Sequence, residues 1–153
     1  IEYMDVAGAL QWSMRQVVSK LEILQVIEEA YGKVEVVDKD DWAPAQRFRL
    51  PDGTVFGIIS STTEPFCQTC DRARLTSVGS WLSCLYAKEG VNLGHALREG
   101  ATHQELAAKI QSTWSLREDR GAEKRRAEWE RGPLYSAQEL IATPSLGMSA
   151  RGG

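Results

Sequence analysis

Residues 66–86 read FCQTCDRARLTSVGSWLSCLY and hold all three cysteines of the chain, in the spacing C-x2-C-x13-C. Two thiolates that are separated by two residues can chelate one metal centre from a single tight turn, as in zinc and iron–sulfur sites. Cys84 returns on a later segment and completes a cradle of three sulfurs. The spacing therefore predicts a metal or cluster site on Cys67, Cys70 and Cys84, against the alternative of three small buried hydrophobic residues.

Two arginines follow Cys70 at the spacing of an extended strand. Side chains two residues apart lie on one face of a strand, so Arg72 and Arg74 would share a face with Cys70. The planar guanidinium group binds phosphate in a bidentate manner. The pattern indicates a binding site for an anionic substrate, such as a phosphate group, beside the metal. The alternatives are that the arginines balance thiolate charge or lie in water.

Residues 77–79 predict the loop of a β-hairpin, because a three-residue loop ending in glycine suits this connection. The loop sets Thr76 opposite Ser80, and the same count sets Arg72 opposite Cys84. The third cysteine would then lie on the face of the arginines. A slip of one residue would move it to the other face.

Three protein ligands leave one coordination position open. Iron–sulfur clusters are normally held by four thiolates, so a cluster on three would keep one iron for a non-protein ligand. A structural zinc site needs a fourth ligand, and both histidines, His95 and His103, resemble residues at helix starts. A zinc-binding interaction module and a β-rich structural domain with incidental thiols remain the alternatives.

Length and composition describe an ordinary globular chain of 153 residues, 42% hydrophobic and 25% charged. The formal net charge of −3 gives no electrostatic footprint for nucleic acid. We find no apolar run of membrane-spanning length and no secretory signal. An odd number of cysteines forms no closed disulfide framework, which favours a reducing compartment. We therefore expect no nucleic-acid partner and no membrane partner.

Local patterns predict helices and one antiparallel sheet. Strands are predicted at residues 1–4, 34–37, 47–50 and 54–60, and helices begin at the capping boxes of Ser19 and Thr102 and near residue 92. The predicted buried stripes are Ile23, Leu24, Ile27, Ala30 and Tyr31 on one helix and Leu106, Ala107, Ile110, Thr113 and Trp114 on another. Residues 55–59 are apolar on both faces and are predicted to form the central strand. The charge run 117–131 predicts a solvated helix or a disordered linker, and residues 135–153 taken alone predict a frayed tail.

A more specific likeness spans the cysteines. The segment Glu64-Pro65-Phe66-Cys67-x-x-Cys70-x-Arg72-x-Arg74-Leu75-Thr76, followed by Gly79, Cys84 and Leu85, resembles the C-terminal signature of the GTP 3′,8-cyclase family, the molybdenum-cofactor biosynthesis proteins A. The opening Ile1-Glu2-Tyr3-Met4 and the terminal Gly152-Gly153 are similar to that family as well. The resemblance is strongest at the cysteines and weakest between residues 117 and 150.

The resemblance implies an α+β fold. The last strand and helix of an incomplete TIM-type barrel would be followed by a small antiparallel sheet that carries the cluster site, with flanking helices. Residues 1–33 would be the C-terminal end of the barrel. Residues 34–116 would be the cluster- and nucleotide-binding domain, and residues 117–153 a charged linker with a Gly-Gly tail.

The resemblance also implies a set of site residues and cofactors. These are a [4Fe-4S] cluster with one open iron on Cys67, Cys70 and Cys84, GTP on Arg72, Ala73 and Arg74, S-adenosylmethionine at Met4, and a catalytic tail of Arg151, Gly152 and Gly153. Family members are radical S-adenosylmethionine lyases that convert GTP to 3′,8-cyclo-7,8-dihydro-GTP on the path to the molybdenum cofactor.

Residues 1–153 depart from the family at one motif. The C-x3-C-x2-C motif that binds S-adenosylmethionine and generates the radical is absent from them. We therefore expect a C-terminal portion of the enzyme that is inactive alone. Its expected partners are GTP and the N-terminal barrel of the same protein, with a homodimer left open, and its expected location is the bacterial cytoplasm.

Overall fold

The computed structural model describes residues 1–6, 11–38 and 41–151, and its fold class is α+β, as predicted. The helices are α1 (Lys20–Tyr31), α2 (Leu93–Arg98), α3 (His103–Ser115), α4 (Gly121–Arg126) and α5 (Ala137–Ala142). The strands are β1 (Glu35–Val37), β2 (Gln46–Arg49), β3 (Val55–Ile58), β4 (Arg74–Leu75), β5 (Ser80–Leu82) and β6 (Val91–Asn92). Single 3₁₀ turns lie at Met14–Gln16, Cys67–Thr69, Pro144–Leu146 and Met148–Ala150.

The described residues divide into two compact units. The first unit comprises Ile1–Asp5, the described part of Gln11–Asp71, and Ala122–Gly132. The second comprises Val6, Arg72–Gly121 and the described residues from Pro133 onward. The boundary falls inside the cysteine stretch, so Cys67 and Cys70 belong to the first unit and Cys84 to the second.

The sheet of the first unit has the order β1–β2–β3, with both pairs antiparallel. Phe48 of β2 is buried, and its ring stacks on that of Phe56 with 5.5 Å between centroids. The prediction that residues 55–59 form the central strand is wrong, because β3 lies at an edge and Val55 is exposed. Phe56 and Ile58 lie on one face of β3, where Phe56 stacks on Phe48 and Ile58 is buried, whereas Val55 on the other face is left exposed.

Residues 1–4 are not a strand, contrary to the prediction. The Glu2 N–H donates to the Ile59 carbonyl at 3.1 Å, but residues 1–6 form no ladder with another described segment. Glu2 and Asp5 are both buried within the first unit. Their carboxylates bind donors on distant segments, and these polar contacts hold the segment in place instead of strand pairing.

The predicted single sheet is two sheets in the part of the chain that is described. The second unit holds the antiparallel order β4–β5–β6. Between the sheets, the Glu64 N–H donates to the Ser60 carbonyl at 2.9 Å, and a 3₁₀ turn follows at Cys67–Thr69. Backbone groups that are paired within turns cannot also continue a ladder, so the first sheet ends at β3.

Both predicted capping boxes are confirmed. At α1 the Ser19 N–H donates to the Glu22 carboxylate at 2.8 Å, and the Glu22 N–H donates back to the Ser19 hydroxyl at 3.2 Å. Thr102 and Glu105 make the same exchange at α3. Gly32 ends α1 with a φ of +91°, a conformation that favours glycine.

The apolar stripes of α1 and α3 are shorter than predicted. The half-buried members are Ile23, Leu24 and Ile27 on α1 and Leu106, Thr113 and Trp114 on α3. The predicted members Ala30, Tyr31, Ala107 and Ile110 are exposed. On α3 the ring of Trp114 packs 6.0 Å from that of Trp81, so this helix contacts β5 near its C-terminal end and leaves its middle exposed.

No helix within residues 1–6, 11–38 and 41–151 is both long enough and apolar enough to cross a membrane.

Candidate functional site

Cys67 and Cys70 lie in one tight turn of the first unit. The turn is a 3₁₀ helix at Cys67–Thr69, in which the Cys70 N–H donates to the Cys67 carbonyl at 3.3 Å. Both thiols are half-buried and neither forms a disulfide. This is the local geometry that the C-x2-C spacing predicts for two ligands of one centre.

The hairpin of the second unit has the predicted register. Arg74 pairs with Leu82 and Leu75 with Trp81. At the loop end of this ladder, the Thr76 N–H donates to the Ser80 carbonyl at 2.9 Å. Residues 77–79 form the loop, and its glycine has a φ of +82°. The register is therefore set by a turn that only glycine closes without strain.

The register shows on which face of the hairpin Arg74, one of the predicted nucleotide-binding residues, lies. Residues directly opposite each other in an antiparallel pair project to one face, so Arg74 shares a face with Leu82. Arg72 and Cys84 both lie beyond the paired residues of β4 and β5, so the predicted placement of Arg72 opposite Cys84 stays a prediction. Arg72 and Ala73 are exposed, whereas Arg74 is half-buried. One partly buried guanidinium thus belongs to the hairpin that leads to the third cysteine, and the accessible one lies two residues before β4.

Cys84 lies just beyond β5, in a turn where the Ala87 N–H donates to its carbonyl at 3.1 Å. The first residue of α4, Gly121, approaches it closely. A Cβ atom at Gly121 would lie 3.0 Å from the Cys84 Sγ and would overlap Tyr86. Glycine here lets the backbone at the start of α4 approach the thiol closely, a feature that sequence reasoning missed because the two residues are far apart in the chain.

The described residues assemble no group of three or more His, Cys, Asp and Glu side chains that could hold a metal ion. The structure does bring Cys67 and Cys70 together in one turn, and it places Arg74 in the hairpin whose second strand ends two residues before Cys84. Three half-buried thiols that form no disulfide suit the ligand chemistry of an iron–sulfur cluster, and the three-cysteine site stays a prediction.

Met4 is half-buried in the opening segment of the first unit, between two buried carboxylates that the sequence analysis did not single out. The first is Glu2, whose Oε2 accepts the N–H groups of Thr62 and Thr63 at 2.9 and 2.8 Å. Its Oε1 accepts the Lys20 N–H at 2.9 Å and the Thr63 hydroxyl at 2.6 Å. Burial alone would raise the pKa of Glu2, but these hydrogen bonds together lower the pKa below its ordinary value.

The second buried carboxylate is Asp5, which is 0% exposed. Its Oδ2 accepts from Arg125 Nε at 2.8 Å and from Arg131 Nε at 2.9 Å, and its Oδ1 accepts from Arg131 Nη2 at 2.9 Å. Arg131 also stacks over the ring of Trp12, 5.0 Å from its centroid. The prediction that residues 117–131 form a solvated run is wrong for these arginines, since a distant carboxylate compensates their burial.

The C-terminal segment is also anchored, so the prediction of a frayed tail is wrong for residues 135–151. Ser136 and Glu139 form a capping box at α5, and Tyr135 is buried. Arg151 is 1% exposed, and its guanidinium donates to the Leu85 carbonyl at 2.9 Å and to the Ser145 carbonyl at 3.2 Å. The two predicted tail residues Gly152 and Gly153 lie outside the described residues.

Comparison with known proteins gives consistent matches. A family described as Molybdenum Cofactor Synthesis C matches residues 1–123. GTP 3′,8-cyclase 1 of Mycobacterium tuberculosis (strain CDC 1551 / Oshkosh) is 54% identical over 153 residues, which cover 100% of this chain and 43% of that protein. GTP 3′,8-cyclase 3 of Mycobacterium bovis (strain ATCC BAA-935 / AF2122/97) is 50% identical over 153 residues, covering 100% of the chain and 40% of that protein.

A more distant relative is the GTP 3′,8-cyclase of Staphylococcus epidermidis (strain ATCC 12228 / FDA PCI 1200). It is 40% identical over 127 residues, covering 82% of the chain and 37% of that protein. The chain therefore spans about two fifths of the length of the curated relatives that it matches.

Proposed function

The chain belongs to the Molybdenum Cofactor Synthesis C family, and on this premise we propose that it is the C-terminal part of a GTP 3′,8-cyclase. In this proposal it binds the second [4Fe-4S] cluster and GTP, while an N-terminal barrel of the same protein binds S-adenosylmethionine and generates the radical. The whole enzyme, a lyase, would convert GTP to 3′,8-cyclo-7,8-dihydro-GTP in molybdenum-cofactor biosynthesis, in the bacterial cytoplasm.

The proposed cluster ligands are Cys67, Cys70 and Cys84. Their support is the turn that holds the first two thiols, and the fact that none of the three forms a disulfide. When bound, a cluster on three cysteines supplies one iron without a protein ligand, at which a nucleotide can bind. The chain's own part is to hold the thiolates and to shield them partly from water.

Arg72, Ala73 and Arg74 are the proposed GTP-binding residues. The observation that carries this part is the pairing of β4 with β5, which sets Arg74 opposite Leu82, two residues before Cys84, while Arg72 lies two residues before Arg74. Guanidinium groups on the face of a cluster ligand can bind the triphosphate in a bidentate manner and orient the base towards the open position. The backbone of Ala73 lies between them.

The remaining assignments rest on family membership. Residues 1–33 would complete the end of a TIM-type barrel, with Met4 beside S-adenosylmethionine. Residues 34–116 would form the cluster- and nucleotide-binding part, and residues 117–153 the linker and tail. Arg151, Gly152 and Gly153 are proposed to enter the active site, and the anchoring of Arg151 to Leu85 supports a defined path for this tail.

Anaerobic reconstitution with iron and sulfide tests the cluster. The chain is expected to become brown and to bind about four irons. Single Cys67→Ser, Cys70→Ser and Cys84→Ser variants are expected to lose most of this iron, whereas the exposed Ser77→Ala serves as a matched surface control. Uptake of zinc alone would favour the interaction module, and no metal uptake would leave a structural domain with incidental thiols.

Nucleotide binding to the reconstituted chain tests the arginines. Arg72→Gln and Arg74→Gln should each weaken GTP binding about tenfold or more, because a charge-assisted hydrogen bond contributes about 1.5–3 kcal/mol. Arg49→Gln is the control, since Arg49 is an exposed arginine on β2 of the first unit. Equal affinities for all three variants and the unchanged chain, measured by calorimetry, would contradict the assignment.

A further inference from the structure

We propose that Glu2 is a positioning residue for the turn that holds Cys67 and Cys70. The inference rests on the proposed function, because that function makes the turn part of a cluster site. Glu2 does not act by touching either cysteine side chain. It acts through the residues that precede the turn, and all of these belong to the first unit.

The carboxylate of Glu2 joins two distant segments. One oxygen accepts the N–H of Lys20, the first residue of α1, at 2.9 Å. The carboxylate also accepts three hydrogen bonds from Thr62 and Thr63, at 2.6 to 2.9 Å. Glu2 is 2% exposed, so water cannot readily replace these donors. The start of α1 and residues 62–63 are therefore held by one side chain.

Thr62 is fixed from further directions. Its carbonyl accepts from Arg131 Nη1 at 3.1 Å, and its hydroxyl donates to the Tyr3 carbonyl at 3.1 Å. With its N–H on Glu2, the backbone donor, the backbone acceptor and the side chain of Thr62 are all engaged. A residue that is held in this way, and 1% exposed, is a rigid support for the chain that follows it.

Only three residues separate Thr63 from Cys67. The Glu64 N–H donates to the Ser60 carbonyl at 2.9 Å, and the Glu64 side chain pairs with the Lys20 ammonium. Pro65 fixes its own φ and so leaves this connection little freedom. The position of Thr63 is thus transmitted to the first thiol, and Glu2 determines that position before any metal binds.

The replacement Glu2→Gln tests the acceptor role at nearly constant volume. Four donors converge on the two carboxylate oxygens. Whichever way the amide is turned, its nitrogen would face at least one backbone N–H, so at least one hydrogen bond is lost. Thr63→Val is the milder second variant, because it removes only the hydroxyl contact with Glu2. Glu22→Gln is the matched control, since Glu22 caps the same helix from the exposed side.

The measurement is the alkylation rate of each cysteine in the metal-free chain, resolved by peptide mass spectrometry. Cys84 lies in the second unit and is the internal reference. In Glu2→Gln the rates at Cys67 and Cys70, divided by that at Cys84, should rise about fivefold or more, the size expected when one buried hydrogen bond is lost from a local opening equilibrium. Thr63→Val should change the ratios in the same direction, and Glu22→Gln should leave them unchanged.

The outcomes separate this inference from the proposed function. If the ratios in Glu2→Gln and Thr63→Val equal those of the unchanged chain, or if all three cysteines accelerate equally, the positioning role is overturned. Iron uptake by the unchanged chain is scored independently of these ratios. Altered alkylation ratios without iron uptake would support the positioning role and reject the cluster. Iron uptake with unaltered ratios would support the cluster and reject the positioning role.

Discussion

Asp5 illustrates how one buried residue sets the environment of others. Its carboxylate accepts three hydrogen bonds from Arg125 and Arg131 and is 0% exposed. A buried charge is stable only when it is paired and hydrogen-bonded. The two guanidinium groups meet this condition, and in return Asp5 allows both arginines to leave water.

The first prediction concerns Asp5→Asn. Removing this charge leaves two largely buried guanidinium groups without the buried counter-charge of Asp5, which should lower the free energy of unfolding by about 3–5 kcal/mol. Urea denaturation measures the change. Asp41→Asn is the control, because its ion pair with Arg47 is exposed and should contribute less than about 1 kcal/mol. Similar losses in the two variants would contradict the buried network.

The second prediction concerns the pH dependence that Glu2 adds to stability. Burial alone would raise the pKa of this carboxyl, but the hydrogen bonds from Thr63, Lys20 and Thr62 lower the pKa in the fold. A carboxyl with a depressed folded pKa stabilises the fold above its unfolded value near 4.5, and this contribution is lost as the pH falls through the folded pKa.

The stability difference between the unchanged chain and Glu2→Gln should therefore be constant from pH 7 to about pH 5.5 and should shrink as the pH falls further. Urea unfolding at a series of pH values measures it. A difference that stays the same down to pH 3 would show that Glu2 does not titrate in this way.

Among the elements, the hairpin of β4 and β5 matters most for the proposed site, because it contains Arg74 and its second strand ends two residues before Cys84. A glycine turn and one backbone hydrogen bond hold it. Gly79 closes the loop with a φ of +82°, and the Gly94 N–H donates to the Gly79 carbonyl at 3.0 Å. The start of α2 thus packs directly against the hairpin loop, where neither residue has a side chain to keep them apart.

The third prediction concerns Gly79→Ala. Its Cβ would lie 2.5 Å from the Gly94 Cα, so this variant meets both a strained φ and a backbone clash. We expect a loss of about 3 kcal/mol in unfolding free energy, together with faster hydrogen exchange in β4 and β5. Gly53→Ala is the matched control: its φ is +89°, but no atom lies within 4 Å of its Cβ, so strain alone should cost about 1 kcal/mol. Equal losses would mean that the contact with Gly94 carries no energy.

At the level of the whole molecule, the chain assigns its proposed site residues to both units. Cys67 and Cys70 belong to the first unit, and Arg72, Arg74 and Cys84 to the second. The C-terminal region is divided as well, since Ala122–Gly132 belongs to the first unit and Arg151 to the second.

The fourth prediction concerns activity. Reconstituted with iron and sulfide, and supplied with a reductant, S-adenosylmethionine and GTP, the 153-residue chain should form no cyclised product. The reason is that residues 1–153 contain no C-x3-C-x2-C motif to hold the radical-generating cluster. Chromatography of the nucleotides measures the outcome, with a complete GTP 3′,8-cyclase as the positive control. Turnover by the chain alone would disprove its assignment as a portion of the enzyme.

Local chemistry could be predicted from the sequence, since it depends on residues that are close along the chain. The capping boxes at Ser19 and Thr102, the glycine that ends α1 and the register of the hairpin each follow from the rules of turns and hydrogen bonding over a few residues. The pairing of Cys67 and Cys70 in one turn follows in the same way from their spacing.

Long-range chemistry could not be predicted, because it depends on which distant segments meet. Asp5 and Arg131 are 126 residues apart, and Glu2 and Thr63 are 61 residues apart. Nothing near a carboxylate in the sequence says whether folding will leave it in water or bury it against a partner. The edge position of β3, the burial of the arginines in the charge run and the anchoring of Arg151 all arose from such encounters. Burial follows from three-dimensional packing, whereas turns and caps follow from neighbours in the chain.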